Sequence, residues 1–250
     1  MRLRGKTAIV TGAGGTIGAA TARRFAKEGA RVALVDRDVE ALASIADDLG
    51  DSAVAIAADV TKEADVARYA AVAAERLGAI DIFFNNAGIA GPIRPLTSFA
   101  ADEFDTVIAI NVRGVFLGLK HVIPVMAEEG SVIVTSSVAG LRGSSGLGAY
   151  CASKHAVMGL VKTAAIESAP RRIRVNSINP GPVDGPMMRG LEAARMPQNP
   201  DAGRAAIAQR MPFGRYSDAG EVADLVTFLA SDESRMITGR PHAIDAGLML

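Results

Sequence analysis

The chain carries one cysteine, Cys151, and three histidines in 250 residues, and its 27 basic and 27 acidic side chains cancel. A lone cysteine excludes an internal disulfide, so the fold must hold by packing and hydrogen bonds, as suits a reducing compartment such as the cytoplasm. His121, His155 and His242 show no metal-ligand spacing, and no metal is expected. The basic residues form no block, which argues against a nucleic-acid or anionic-membrane surface. Tandem repeats, low-complexity tracts and a dividing linker are missing too, and one domain over residues 1–250 is expected. The apolar stretch near the start ends at Thr11-Gly12, too short for a signal or membrane segment.

What is there is a core and an alternation. Hydrophobic residues make up 49% of the chain. Short β-branched runs read as strands at Thr7–Thr11, Arg31–Asp36, Ala53–Ile56, Ile80–Phe84, Ser131–Thr135 and Ile173–Ile178. Helical spacing lies between them, at Ile17–Glu28, Val39–Leu49, Glu63–Leu77, Phe104–Met126 and Tyr150–Ser168. Several strands are continuously apolar, as expected when a parallel sheet is covered on both faces. The β-then-α order predicts a doubly wound α/β fold with ligands at the carboxyl edge of its sheet. Pro180 to Pro212 is irregular and rich in Pro, Gly, Met and Arg, and reads as a loop or a short helical flap over about 182–212.

The first strand runs into Thr11-Gly-Ala-Gly-Gly-Thr-Ile-Gly18 and then a helix. Gly12, Gly14, Gly15 and Gly18, with Thr16 and Ile17 between them, let the backbone turn sharply and bring phosphate to a helix start. Ile17 takes the place of the last glycine of a strict G-x-G-x-x-G, so a merely flexible turn is the competing reading. Asp36, ending the second strand, is placed to accept two ribose hydroxyls and to repel a 2′-phosphate. Its bland alternative is a helix N-cap. Arg37 follows it and offsets the repulsion, so NAD is favoured over NADP without excluding the latter.

Tyr150 and Lys154 stand four apart on one helix face. A phenol titrates near about 10, and an adjacent ammonium together with an oxidised nicotinamide would favour the phenolate, making Tyr150 a candidate acid/base. The pairing alone is common. Upstream, Ser136 and Ser137 close the fifth strand; catalysis is assigned to Ser137 and a backbone-capping role to Ser136.

With these residues in place, the chain resembles the short-chain dehydrogenase/reductase family from end to end. The resemblance implies a Rossmann-like sheet of about seven strands and hydride transfer between NAD(H) and a secondary alcohol or ketone. It implies that Asp59 and Val60 meet adenine, and that Asn86, Ala87 and Gly88 of the Asn85-Asn-Ala-Gly88 motif lie against the adenosine ribose. It gives Asn111 the place of a helix-kinking residue on the path from the lysine to solvent, and completes a tetrad with Ser137, Tyr150 and Lys154. Pro180-Gly181 matches the motif after the sixth strand, and Val183 falls where a backbone group holds the nicotinamide carboxamide. Family members of this length are tetramers built through two long helices and the last strand.

Two departures stand out. The family has a glycine where this chain has Thr16, and often a threonine, touching the carboxamide, where it has Gly185. A water or Asp184 is the expected replacement for that contact.

Leu147, Met187, Met188 and Leu191 are candidate substrate contacts, against the bland alternative of core packing. An uncharged, medium-sized substrate is expected, with Arg142, Arg189 and Arg195 solvated and Cys151 turned away from Tyr150. An NADPH-dependent carbonyl (3-oxoacyl-type) reductase, an epimerase or dehydratase retaining NAD, and a non-catalytic dinucleotide-binding protein are the alternatives.

Overall fold

The computed structural model describes residues 1–250. Seven strands form one sheet: β1 (Thr7–Thr11), β2 (Arg31–Asp36), β3 (Ala53–Ala57), β4 (Ile80–Asn85), β5 (Met126–Thr135), β6 (Arg174–Pro180) and β7 (Pro241–Ile244). Their order is β3-β2-β1-β4-β5-β6-β7, and each neighbouring pair is parallel. The order reverses beside β1, between β1 and β4, which is the switch point where such sheets open a ligand crevice.

Helices cover both faces: α1 (Thr16–Lys27), α2 (Val39–Leu49), α3 (Glu63–Leu77), α4 (Ala101–Ile108), α5 (Gly114–Val122), α6 (Gly148–Ser168), α7 (Pro186–Arg195), α8 (Pro200–Ala208) and α9 (Ala219–Ala230). Alternation within β1 shows why its residues are all apolar or β-branched. Ile9 packs into a core with α3, α5 and α6, while Ala8 and Val10 pack into a second core with α1 and α9. Both faces are dry, so neither tolerates a polar residue.

The structure adds detail to the sequence expectations in three places. The helix expected over Phe104–Met126 is broken: α4 and α5 are joined by a π-turn, Ala109–Arg113. Its middle residue, Asn111, is buried, and its amide bonds outside the helix, the sort of functional interruption that π-turns mark. By hydropathy the run Ala101–Val125 is long and apolar enough to cross a membrane, but here it flanks the sheet with 44% of its most apolar stretch buried. The flap contains two helices, α7 and α8, each started by a proline in its first turn. Finally, α9 escaped the periodicity reading although Asp218 and Glu221 cap it reciprocally, each side chain accepting the other's backbone N–H at 2.9 Å.

Arg174 on β6 closes the other end of α9. It is buried without a carboxylate partner and donates to the Leu229 carbonyl (2.8 Å), the Ser231 carbonyl (3.1 Å) and Ser234 Oγ (2.7 Å). The negative end of the helix dipole and these carbonyls take the place of a counter-ion. Arg174→Met removes three charge-assisted donations, leaving the Leu229 carbonyl to Ser131 and Ser234 and the Ser231 carbonyl to Ser234, and urea unfolding should show a loss of about 1–2 kcal/mol. A loss below about 0.5 kcal/mol would mean that the cap is idle.

Candidate active site

Three chain turns meet at the carboxyl edge of the sheet. The first links β1 to α1. Gly12 has φ +65°, and a Cβ there would stand 2.9 Å from the Ala87 Cα. Gly18 is tighter still, because a Cβ would fall 2.0 Å from the Gly12 carbonyl oxygen. The turn therefore folds flat onto the start of α1. The amides of Thr16, Ile17 and Gly18 find no acceptor in the protein, whereas Ala19 N–H already bonds the Gly15 carbonyl. Three free N–H groups at the positive end of a helix make an anion cradle, and a phosphate fits it.

Asp36 lies beside this cradle. Its Oδ2 accepts the Gly14 N–H at 2.9 Å and its Oδ1 accepts the Arg37 N–H at 2.7 Å. The N-cap of α2 is Asp38, which accepts the Ala41 N–H at 3.0 Å. Asp36 is thus free of the capping role, and a lone pair of Oδ2 remains for the cleft. Arg37 is exposed and has no ion pair. Asp59 lines the same cleft, and the Thr61 backbone N–H is the main cause holding its carboxyl below the usual range. Val60 packs under Gly114.

The second turn follows β4. Asn86 straps three strands together: its Nδ2 donates to the Thr11 carbonyl (3.1 Å), and its Oδ1 accepts from Thr135 Oγ1 (2.9 Å). Thr11 Oγ1 in turn accepts the Asn86 and Ala87 N–H groups, a role that the sequence analysis missed. Gly88 leaves room for chemistry, since a Cβ there would lie 3.1 Å from Asn111 Oδ1 and 3.3 Å from Lys154 Nζ.

The third turn follows β5 and feeds α6. Lys154 is buried and donates to the Thr135 carbonyl at 2.8 Å, with its Nζ 5.6 Å from the centre of the Tyr150 ring. Burial lowers the ammonium to about 8. Burial also raises the Tyr150 phenol, and only the Ser137 hydroxyl pulls it back toward the phenolate. In the free protein burial dominates the phenol, and the expected acidification calls for an oxidised nicotinamide beside Lys154 as well. Ser137 Oγ donates to the Pro180 carbonyl at 3.3 Å, and Ser136 Oγ donates to the Lys154 carbonyl at 3.0 Å. Both serines border the cleft and engage main chain, since Ser137 Oγ also accepts the Ala139 N–H at 3.1 Å, and Ser137 is the one that acts on the Tyr150 phenol.

Asn111 interrupts its helix, as the resemblance implies, and its amide is held by protein. Its Nδ2 donates to the Ile89 carbonyl (2.8 Å) and to Ser153 Oγ (3.0 Å), and its Oδ1 accepts the Ile89 N–H (2.9 Å). Both amide protons are taken by protein, so the side chain anchors the site, and a water link must use main chain or the remaining Oδ1 lone pair. Ser153, between Tyr150 and Lys154 on α6, was not singled out, since a buried serine on a helix gives no periodic signal.

Pro180 and Gly181 lead into Val183, which bridges Ser217. The bridge uses the Pro182 carbonyl and the Asp184 N–H, so the N–H and C=O of Val183 itself stay unpaired at the cleft. Asp184 is held in place by Arg204 on α8, which donates to its two oxygens at 2.8 and 2.9 Å. Leu147, Met187, Met188 and Leu191 line the cleft as expected, joined by Ile93, Val138 and Leu248, which were not foreseen. Arg142 donates to the Leu248 carbonyl, while Arg195 is exposed at the cleft margin. The whole cleft is about 1370 Å³, larger than the roughly 300–1,000 Å³ of most small-molecule pockets, and so has room for a dinucleotide and a second ligand.

Residues 12–249 match the family model described as enoyl-(acyl carrier protein) reductase. The levodione reductase of Leifsonia aquatica is 42% identical, over 98% of this chain and 95% of its own. The chain belongs to the short-chain dehydrogenase/reductase family. A crystal structure of levodione reductase superposes on this family member with a TM-score of 0.95 at 40% identity, covering 98% of each chain. The 3-oxoacyl-[acyl-carrier-protein] reductase of Thermotoga maritima is 38% identical over 100% of both chains. An NAD⁺-bound xylitol dehydrogenase has a TM-score of 0.93 at 35% identity, covering 98% of this chain and 99% of that one. Like its relatives, the protein is an oxidoreductase expected to use a nicotinamide dinucleotide.

Crowding at Gly18 yields a direct test. Gly18→Ala must push the turn off α1, and fluorescence titration should show NADH binding weakened at least about tenfold. Unchanged binding would mean that the cradle is not the phosphate site.

Proposed function

We propose that the protein is an NAD(H)-dependent dehydrogenase that interconverts a secondary alcohol and a ketone, with Tyr150 as general acid/base. The observation that carries this reading is the convergence of Tyr150, Lys154 and Ser137 on one cleft with the phosphate cradle and the unpaired backbone of Val183. The nicotinamide, when bound, supplies the acceptor or donor of hydride. The rest belongs to the chain. Ser137 Oγ orients the substrate oxygen, and Tyr150 takes its proton in oxidation or returns it in reduction. Lys154 holds a positive charge beside the phenol, Asn111 fixes α4 and α5 against α6, and the flap closes over the substrate.

Gly12, Gly14, Gly15, Thr16, Ile17 and Gly18 would hold the pyrophosphate, Asp36 and Arg37 the adenosine ribose, and Asp59 and Val60 the adenine. Asn86, Ala87 and Gly88 would line the ribose side, with Pro180, Gly181 and Val183 at the nicotinamide. Asp36 favours NAD. Arg37, exposed and unpaired, favours the second reading, an NADPH-dependent carbonyl reductase of the 3-oxoacyl type. The ratio of kcat/KM for NAD over NADP should exceed about ten, and a ratio near one would support that second reading.

The substrate is an uncharged, medium-sized alcohol or ketone held by Leu147, Met187, Met188 and Leu191. The chain works as one catalytic domain in the cytoplasm and assembles as a homotetramer. Exposed Phe116 on α5 and Ile166 on α6, 47% and 76% accessible, are apolar surface that a second copy would cover.

Tyr150→Phe keeps the ring and removes the proton, and kcat should fall by about 10²–10⁴-fold with NADH binding retained. Full turnover in that variant refutes the assignment. Because burial brings the Lys154 ammonium to about 8, the Tyr150–Lys154 pair should lose its first proton near that pH. In kcat/KM profiles, oxidation should then rise and reduction fall as pH passes about 8. In Lys154→Met the oxidation limb should move to higher pH, since the buried phenol alone holds its proton more tightly. A limb that stays in place would remove Lys154 from the chemistry.

A further inference from the structure

The two departures from the family pattern, Thr16 and Gly185, meet in space. A Cβ placed on Gly185 would lie 2.8 Å from Thr16 Oγ1, 3.2 Å from its Cγ2 and 3.4 Å from its Cβ. The side chain of Thr16 therefore fills the space that a residue at 185 would occupy. Compared with the family, glycine and threonine have traded places across the cleft, between the phosphate turn and the start of the flap.

Other polar groups nearby are committed. Both oxygens of Asp184 are held by Arg204, whose guanidinium also stacks 4.6 Å above the Tyr216 ring. Thr16 Oγ1 makes no hydrogen bond within the protein, and the residue is exposed on the cleft wall. It belongs to the first turn of α1, next to the free amides of the cradle, and faces the segment that carries the unpaired backbone of Val183.

We propose that the Thr16 hydroxyl is a dinucleotide-binding group for the nicotinamide half of the cofactor, delivered across the cleft beside Gly185, whose own backbone (φ +159°) calls for glycine. This rests on the dinucleotide reading of the cleft. The donor that the family places on the flap side is here delivered from the phosphate turn. The flap's first residues then need no hydroxyl of their own.

NADH titration tests the hydroxyl without turnover. Thr16→Val keeps the shape and removes the hydroxyl, so the NADH dissociation constant should rise about tenfold while that of AMP stays within twofold. Thr16→Ser should bind NADH as the parent does. Equal weakening of AMP and NADH would mean a disturbed turn, and no weakening of either would mean an idle hydroxyl; each result overturns the proposal. Failure of the parent protein to bind NADH would instead sink the dinucleotide reading itself.

Discussion

Lys154 is an ammonium almost without water, and the carboxyl edge of the sheet is arranged around it. The Thr135 carbonyl at the end of β5 fixes its head at 2.8 Å. Ser136 Oγ donates to its main-chain carbonyl, tying the same strand end to α6 a second time. Gly88 and Gly140 stand where any side chain would press on the lysine, at 3.3 Å from Nζ and 2.6 Å from its carbonyl oxygen. Burying a cation this way is costly unless polar partners surround it, and burial alone brings the group to about 8. That cost has a chemical use. An ammonium near its own titration point, beside a phenol raised by the same burial, leaves the pair poised for proton exchange once further positive charge enters the cleft.

The π-turn at Asn111 belongs to the same constraint. A regular helix from α4 through α5 would leave no reason for Asn111 to reach the Ile89 main chain and Ser153 at once. The wider turn aims its amide across to α6, between the two residues that carry the chemistry. Asn86 does the equivalent on the cofactor side by joining β1, β4 and β5. Two asparagines therefore set the spacing between the phosphate cradle and the acid/base pair. Neither amide is placed by packing alone, because each uses several hydrogen bonds to backbone in dry surroundings.

Much of this was legible beforehand. The strands announced themselves by apolar runs, and β1 shows why: alternate residues enter different cores, so no polar face exists to confuse the pattern. The glycine turn and the Tyr150–Lys154 spacing were readable because each is local. What escaped was non-local or unperiodic. Ser153 is one hydroxyl on a helix, Thr11 one on a strand, and α9 shows its start only through the Asp218–Glu221 box. The pairing of Asp184 with Arg204, twenty positions away in sequence, was equally invisible.

The sequence by itself determined the doubly wound order, the glycine turn and the Tyr150–Lys154 pairing, because those depend on periodicity and on short spacings along one chain. Only the tertiary structure decided the burial of that pair, the anchoring of Asn111 and the contact of Thr16 with Gly185. Desolvation and steric exclusion act between segments far apart in sequence, and their size is set by distances that no linear pattern contains.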